Sequence, residues 1–243
     1  MISSLLWCLE CRHRAWRYRT KVAPDEIAWM RSVLRPDGVV VDAGAYKGGY
    51  TYWMREEVGA AGQVFAFEPQ PELAAFLRRA VQASSWTNVH VEEAGLSDER
   101  GERTLHTPPG GPTQDASLVG ALAGPDARHY AVRTETLDAF VDNRQSGGPI
   151  DFIKCDVEGH ELDMFRGAEA VLTRDRPVLL FECEARHNPD RSVSEVFDYL
   201  EDLRYRGSFF WLGELVDVSQ FDLETHQTLG RAPYANNFVF EPC

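Results

Sequence analysis

Two hydrophobic periods alternate along most of the chain. Short β-branched or aromatic runs at residues 39–42, 63–67, 88–92, 150–155, 177–182, 208–212 and 237–240 have the length and composition of strands. Between them the apolar positions recur at helical spacing. Leu73, Phe76, Leu77, Ala80 and Val81 form one such stripe, and Val193, Val196, Phe197, Leu200 and Leu203 form another. Ser192 with Glu195 makes a capping box in front of the second stripe. Strands alternating with helices predict right-handed βαβ units and a doubly wound, mostly parallel α/β sheet covered on both faces.

Residues 1–36 do not share this alternation and are expected to form an N-terminal helical arm, leaving 37–243 as one domain. In the arm, Leu5, Leu6 and Trp7 precede a basic cluster of Arg12, His13, Arg14, Arg17, Arg19 and Lys21. A secretory signal has the opposite order, and no apolar run approaches the roughly 18 residues that span a bilayer, so no transmembrane segment is expected. Contact with a membrane surface is a secondary use of such an arm. Residues 107–127, rich in Pro and Gly, interrupt the alternation and are expected to form a mobile lid.

Composition narrows the function. Of 243 residues, 44% are hydrophobic, enough for a core, and 25 Lys and Arg against 38 Asp and Glu leave a charge of −13. That balance opposes a phosphate-tracking nucleic-acid binder. Five cysteines, an odd number without a disulfide framework, suggest a reducing compartment such as the cytoplasm. Cys8 and Cys11 form a lone C-x-x-C without a second ligand pair, and are expected to be two thiols on a helix.

The candidate chemistry lies just after the strands, because open parallel sheets bind ligands beyond their carboxyl ends. After the first strand comes Asp42-Ala43-Gly44-Ala45-Tyr46-Lys47-Gly48-Gly49-Tyr50-Thr51, a tight turn leading into a helix N-terminus. After the second comes Glu68-Pro69, an acid able to accept both ribose hydroxyls of a nucleoside. The turn is not G-x-G-x-x-G, so a nucleoside without a pyrophosphate fits better than a dinucleotide. S-adenosylmethionine is such a ligand. After the third strand, Leu96 is placed to pack on an adenine and Ser97 or Asp98 to reach its polar edge. The fourth strand ends in Lys154-Cys155-Asp156-Val157-Glu158-Gly159-His160-Glu161, where a lysine in a buried strand needs a carboxylate partner, Asp156 or Glu182.

Together these segments, with Leu96-Ser97-Asp98, Thr136-Leu137-Asp138 and the distinctive Asp156-Val157-Glu158-Gly159, resemble the FkbM family of S-adenosylmethionine-dependent methyltransferases over about residues 37–242. The resemblance implies a class I methyltransferase fold: a Rossmann-like, doubly wound seven-stranded sheet whose last strand, 237–240, runs antiparallel. It also implies methyl transfer, most often to a hydroxyl of a sugar or natural product. Tyr46-Lys47 departs from the family, which commonly has asparagine and an aliphatic residue beside the methionine end of the cofactor.

The expected cofactor site therefore comprises Asp42, Gly44, Ala45, Tyr50, Thr51, Glu68, Pro69, Leu96, Ser97 and Asp156. The expected catalytic group is Asp156 as orienting carboxylate, His160 as base and Glu158 beside them, acting on a small-molecule hydroxyl acceptor. Asp156, Glu158 and Glu182 are also an oxygen-rich set of the kind that holds magnesium, but Lys154 would repel a cation there, and metal-independent chemistry is expected. Two other readings are a nicotinamide-dependent oxidoreductase, disfavoured by the turn, and an inactive cofactor-binding relative.

Overall fold

The computed structural model describes residues 2–120, 126–144, 147–187 and 191–243, with side chains from residue 7 onward. The arm is helical: α1 (Ile2–Arg17), a turn of π-helix (Tyr18–Val22) and α2 (Pro24–Val33). Pro24 opens α2, where its missing N–H costs nothing, and Asp25 and Glu26 in the first turn complement the helix dipole. Ile27 and Met30 of α2 are fully buried, so the arm is packed into the body of the protein. Cys11 is buried in α1, where loss of water pushes its thiol up to about 11.

The alternation begins at β1 (Val39–Ala43), buried at all five positions, as a central strand covered on both faces requires. It continues through α3 (Gly49–Val58), β2 (Gln63–Phe67), α4 (Pro71–Ala83) and β3 (Val89–Glu92). An insertion follows, made of β4 (Gly95–Leu96), β5 (Gly101–Thr107) and β6 (Arg128–Glu135). The chain then resumes with α5 (Leu137–Asn143), β7 (Phe152–Cys155), α6 (Glu161–Arg166), α7 (Glu169–Arg174) and β8 (Val178–Glu182). It ends with α8 (Val193–Asp202), β9 (Tyr205–Trp211), β10 (Glu214–Asp217), α9 (Leu223–His226) and β11 (Asn237–Pro242). The capping box of Ser192 and Glu195 is present at the start of α8.

The main sheet has the order β10-β9-β11-β8-β7-β1-β2-β3. From β3 to β8 all pairs are parallel, and β11 runs antiparallel between β8 and β9. The seven expected strands all join it, and the last one has the expected direction. An eighth was not anticipated. β10 turns back from β9 through Leu212 and Gly213, both at positive φ, a two-residue turn in which leucine stands where asparagine or glycine normally advertises a hairpin.

A second sheet, β4-β6-β5, was also missed. β5 and β6 pair over seven positions, yet apart from Leu105, Tyr130, Ala131 and Val132 they carry no apolar side chain, so no apolar alternation marks them. The segment expected to be a lid, 107–127, is the connection of this hairpin. Its residues 121–125 lie outside the described residues.

One core fills one face of the main sheet, with Phe165, Phe181 and Phe238 at its centre, and α5 to α8 supply its cover. The other face buries Val40, Met54 and Phe152 together with Ile27 and Met30 of the arm. Among the described residues no helix is long and apolar enough to cross a membrane.

Candidate active site

A cavity of about 440 Å³ opens over the carboxyl ends of β1, β2, β7 and β8. Of the residues expected to hold a cofactor, Asp42, Gly44, Ala45, Tyr50, Glu68, Pro69, Leu96 and Asp156 line it. Glu158 also lines it, whereas Thr51, Ser97 and His160 do not.

The turn after β1 is built by the backbone. Gly44 sits at φ +78°, and its N–H and that of Ala45 both donate to the carbonyl of Phe67, at 3.0 and 2.9 Å. A Cβ on Gly44 would also run into the carbonyl oxygen of Asp156, so only glycine lets the β1 and β7 ends lie this close. Tyr46 is likewise at positive φ, with its N–H directed to Glu68 Oε2 at 2.8 Å. Glu68 Oε1 accepts the N–H of Gln70 at 2.9 Å. A carboxylate has about four acceptor positions, so two remain for a ligand. Burial pushes the Glu68 carboxyl up to about 7, against the lowering effect of these N–H donors.

Thr51 acts behind Asp42 rather than on a ligand, donating its hydroxyl to Asp42 Oδ2 at 2.5 Å. Asp42 is 2% exposed, and burial pushes its carboxyl up to about 6.

Lys154 lies opposite Asp42 in the β1–β7 register and is 1% exposed. Its Nζ is 3.6 Å from Asp156 Oδ2, 3.2 Å from the Cys155 carbonyl and 4.9 Å from the centre of the Tyr50 ring. Burial opposes its charge, but the surrounding Asp156, Glu182 and Asp42 raise its pKa, so it stays an ammonium. Glu182 shares this charge cluster. Burial and the neighbouring Asp156 raise its carboxyl, whose Oε1 accepts from Asn236 Nδ2 at 2.9 Å.

Beyond Asp156 the wall is made, apart from Glu182, by residues that the sequence reading did not single out. The end of β8 and the turn after it provide Glu182 and Arg186, the segment before β11 and its first residue provide Tyr234, Asn236 and Asn237, and the arm provides Tyr18, Val22, Ala23 and Glu26. Glu182 was expected there as a partner of Lys154 and as part of the oxygen-rich set. Nothing in the arm's sequence places Tyr18 or Glu26 at the cavity, because that depends on how α2 docks. The β5–β6 connection closes the remaining side with Thr113, Gln114 and Asp115. It is tied down there: Gln70 exchanges two hydrogen bonds with the Thr113 backbone, and Ser117 Oγ donates to the Glu158 carbonyl.

The assignments of His160 and Ser97 need correction. His160 does not face the cavity as a base would. It is the N-cap residue of α6 and is 3% exposed, with Nε2 2.9 Å from Ser97 Oγ and Nδ1 3.2 Å from Asp163 Oδ2. Burial lowers its pKa, and both ring nitrogens are spent on a buried tie between β4 and α6. Ser97 is fully enclosed in that tie, and Asp98 pairs with Arg103, so neither side chain lines the cavity. The Ser–His–Asp order resembles a hydrolytic triad, but an enclosed hydroxyl cannot meet a substrate.

A doubly wound sheet with an antiparallel last strand and a nucleoside-sized cavity at its carboxyl edge is the class I methyltransferase fold. Solved structures share it. A methyltransferase FkbM from Methylobacillus flagellatus KT superposes with a TM-score of 0.54 at 16% identity, covering 96% of this chain and 54% of that one. An O-methyltransferase from Bacillus cereus, solved with S-adenosylhomocysteine, gives 0.52 at 15% identity over 98% of this chain and 89% of that one. A precorrin-6y C5,15-methyltransferase from Geobacter metallireducens GS-15 gives 0.50 at 13% identity over 91% and 90%. This chain thus spans about half the length of the M. flagellatus protein. The model of the methyltransferase FkbM domain matches residues 42–206, more than half of the chain. The chain belongs to the FkbM family of S-adenosylmethionine-dependent methyltransferases.

Proposed function

We propose that this protein methylates a hydroxyl group on a sugar or natural-product small molecule. The observation that carries this reading is a cavity of about 440 Å³ whose lining runs from Glu68, past Asp156, to Glu182, so that the cofactor-side acid and the acids of the far wall face one space. The fold is neutral on the acceptor atom, since both oxygen and carbon methyltransferases share it.

On this reading Glu68 accepts the ribose hydroxyls, Leu96 packs on the adenine and Asp42, braced by Thr51, faces the amino-acid end with Gly44 and Ala45. When bound, S-adenosylmethionine supplies a methyl group already activated by its sulfonium, so the chain's own task is alignment, worth up to roughly 7–11 kcal/mol. Asp156 orients the acceptor hydroxyl and takes its proton, a contribution of about 10²–10⁴-fold. Glu158 is the second carboxylate on that wall, held by His187 Nδ1 at 2.8 Å from its Oε2. His160 has no part, being outside the cavity. The 107–127 connection closes over both ligands and excludes water. Lys154 occupies the cationic position among the acids, and the chemistry proceeds without a metal. All five cysteines are free thiols, which supports a cytoplasmic location.

Transfer of a labelled methyl from S-adenosylmethionine to a panel of sugars, glycosides and phenols tests this directly. Labelled product and S-adenosylhomocysteine should appear only with acceptor, at a rate unchanged by a chelator. Cofactor binding without transfer to any member would favour an inactive cofactor-binding relative.

A further inference from the structure

The two ends of the cavity differ in charge balance. The β1–β2 end holds Asp42 and Glu68, the two acids assigned to the cofactor. The far end, over β8 and β11, brings Glu26, Asp156 and Glu182 around Tyr50, whose hydroxyl is pushed up by burial and by these same three charges. Lys154 is the only ammonium set among them in the described residues. Other cations on this wall are already engaged. Arg186 bonds both carboxylate oxygens of Glu184, and His187 pairs with Glu158. Three carboxyls thus face one ammonium.

A second observation points the same way. Asn237 lies directly opposite Glu182 in the β8–β11 register and lines the cavity. It is 9% exposed, and its side-chain carbonyl Oδ1 is buried with no hydrogen-bond partner among the described residues. The Asn237 oxygen is an acceptor awaiting a donor, beside a Glu182 carboxyl that already takes one bond from Asn236. Burial raises the carboxyls of Glu26 and Glu182 toward their neutral forms, a cost that an adjacent cation relieves.

We infer that the acceptor is a hydroxyl compound carrying a protonated amine, received between Glu26 of the arm and Glu182 with Asn237 at the ends of β8 and β11. This rests on the methyltransferase reading above and narrows it: phosphorylated and carboxylated acceptors are excluded by like charge, and neutral ones leave the acids unmatched. It also gives the arm, which lies outside the matched family domain, a role in choosing the acceptor.

The test uses matched probes on two scaffolds: glucosamine, glucose and glucuronate, and tyramine, tyrosol and hydroxyphenylacetate. Each is titrated calorimetrically into the full chain saturated with S-adenosylhomocysteine, and each is offered for labelled methyl transfer. On at least one scaffold the amine should bind tenfold or more tightly than its neutral partner, and the acid more weakly than either. Glu26→Gln and Glu182→Gln should each reduce that preference at least threefold, with retained S-adenosylhomocysteine binding showing that the fold survives. Equal binding of amine and neutral probes, no binding of either amine, or a preference that neither variant changes would overturn the inference. Methyl transfer to a neutral or acidic probe with no amine preference would overturn it while leaving the methyltransferase reading intact. Failure of S-adenosylhomocysteine to bind the unaltered chain would overturn both.

Discussion

Lys154 shows how a single residue organises this site. A cation buried to 1% exposure in a central strand is stable only because Asp42, Asp156 and Glu182 surround it, and removing it leaves those acids facing one another. Lys154→Met should lower unfolding free energy by about 3–5 kcal/mol, measured by urea denaturation at pH 7. Glu68 supplies the pH dependence. Its folded carboxyl sits near 7, well above an ordinary carboxylate, and ribose hydroxyls donate best to its ionised form. Binding must therefore expel a proton below pH 7, and S-adenosylhomocysteine affinity should fall about tenfold from pH 8 to pH 6. A flat calorimetric profile over that range would contradict the assignment. Glu68 and Asp156 were legible in the sequence because residues after strand ends point toward the cleft. His160 was misjudged because its spacing from Asp156 does not reveal that Ser97 and Asp163 enclose it.

At the scale of elements, the arm and the β5–β6 connection decide what the cavity becomes. Ile27 and Met30 anchor α2 against Val40 and Phe152, so the arm is held by apolar burial as well as by the indole of Trp53 donating to the Ala15 carbonyl at 2.9 Å. Ile27→Ala should cost about 2–5 kcal/mol of stability in urea denaturation and loosen the wall that Tyr18 and Glu26 form. Among its described residues the connection is fastened by Gln70 with Thr113, Ser117 with the Glu158 carbonyl, and Ser117 with the His106 backbone. Proteolysis within 107–127 should therefore slow when S-adenosylhomocysteine and an acceptor are both present, and an unchanged cutting rate would count against closure. Strands β1, β2, β7, β8 and β11 were readable because burial on both faces makes them nearly continuous apolar runs, and β3 and β9 by their β-branched or aromatic residues. By contrast β5, β6 and β10 were not, since β5 and β6 are largely polar in sequence, β10 is mostly exposed, and the turn before β10 uses leucine in place of the usual signal.

For the whole molecule, topology explains why scattered motifs meet. Strands β2, β1, β7 and β8 are neighbours in space, so acids at positions 68, 42, 156 and 182 line up along one edge of the sheet. The alternation of strands and helices made that line predictable. The docking of the arm was not, because a helix stripe shows which face is buried but not against what. The net charge of −13 opposes a polyanion partner but does not show where acids gather, which the fold reveals around this cavity. Calorimetric titration of S-adenosylhomocysteine into the unaltered chain and into Glu68→Ala tests the central claim most directly. One site per chain should appear, with affinity about 10- to 150-fold weaker in the variant, the loss of charge-assisted hydrogen bonds worth about 1.5–3 kcal/mol. Equal affinity in the two proteins, or no binding to the unaltered chain, would contradict the account.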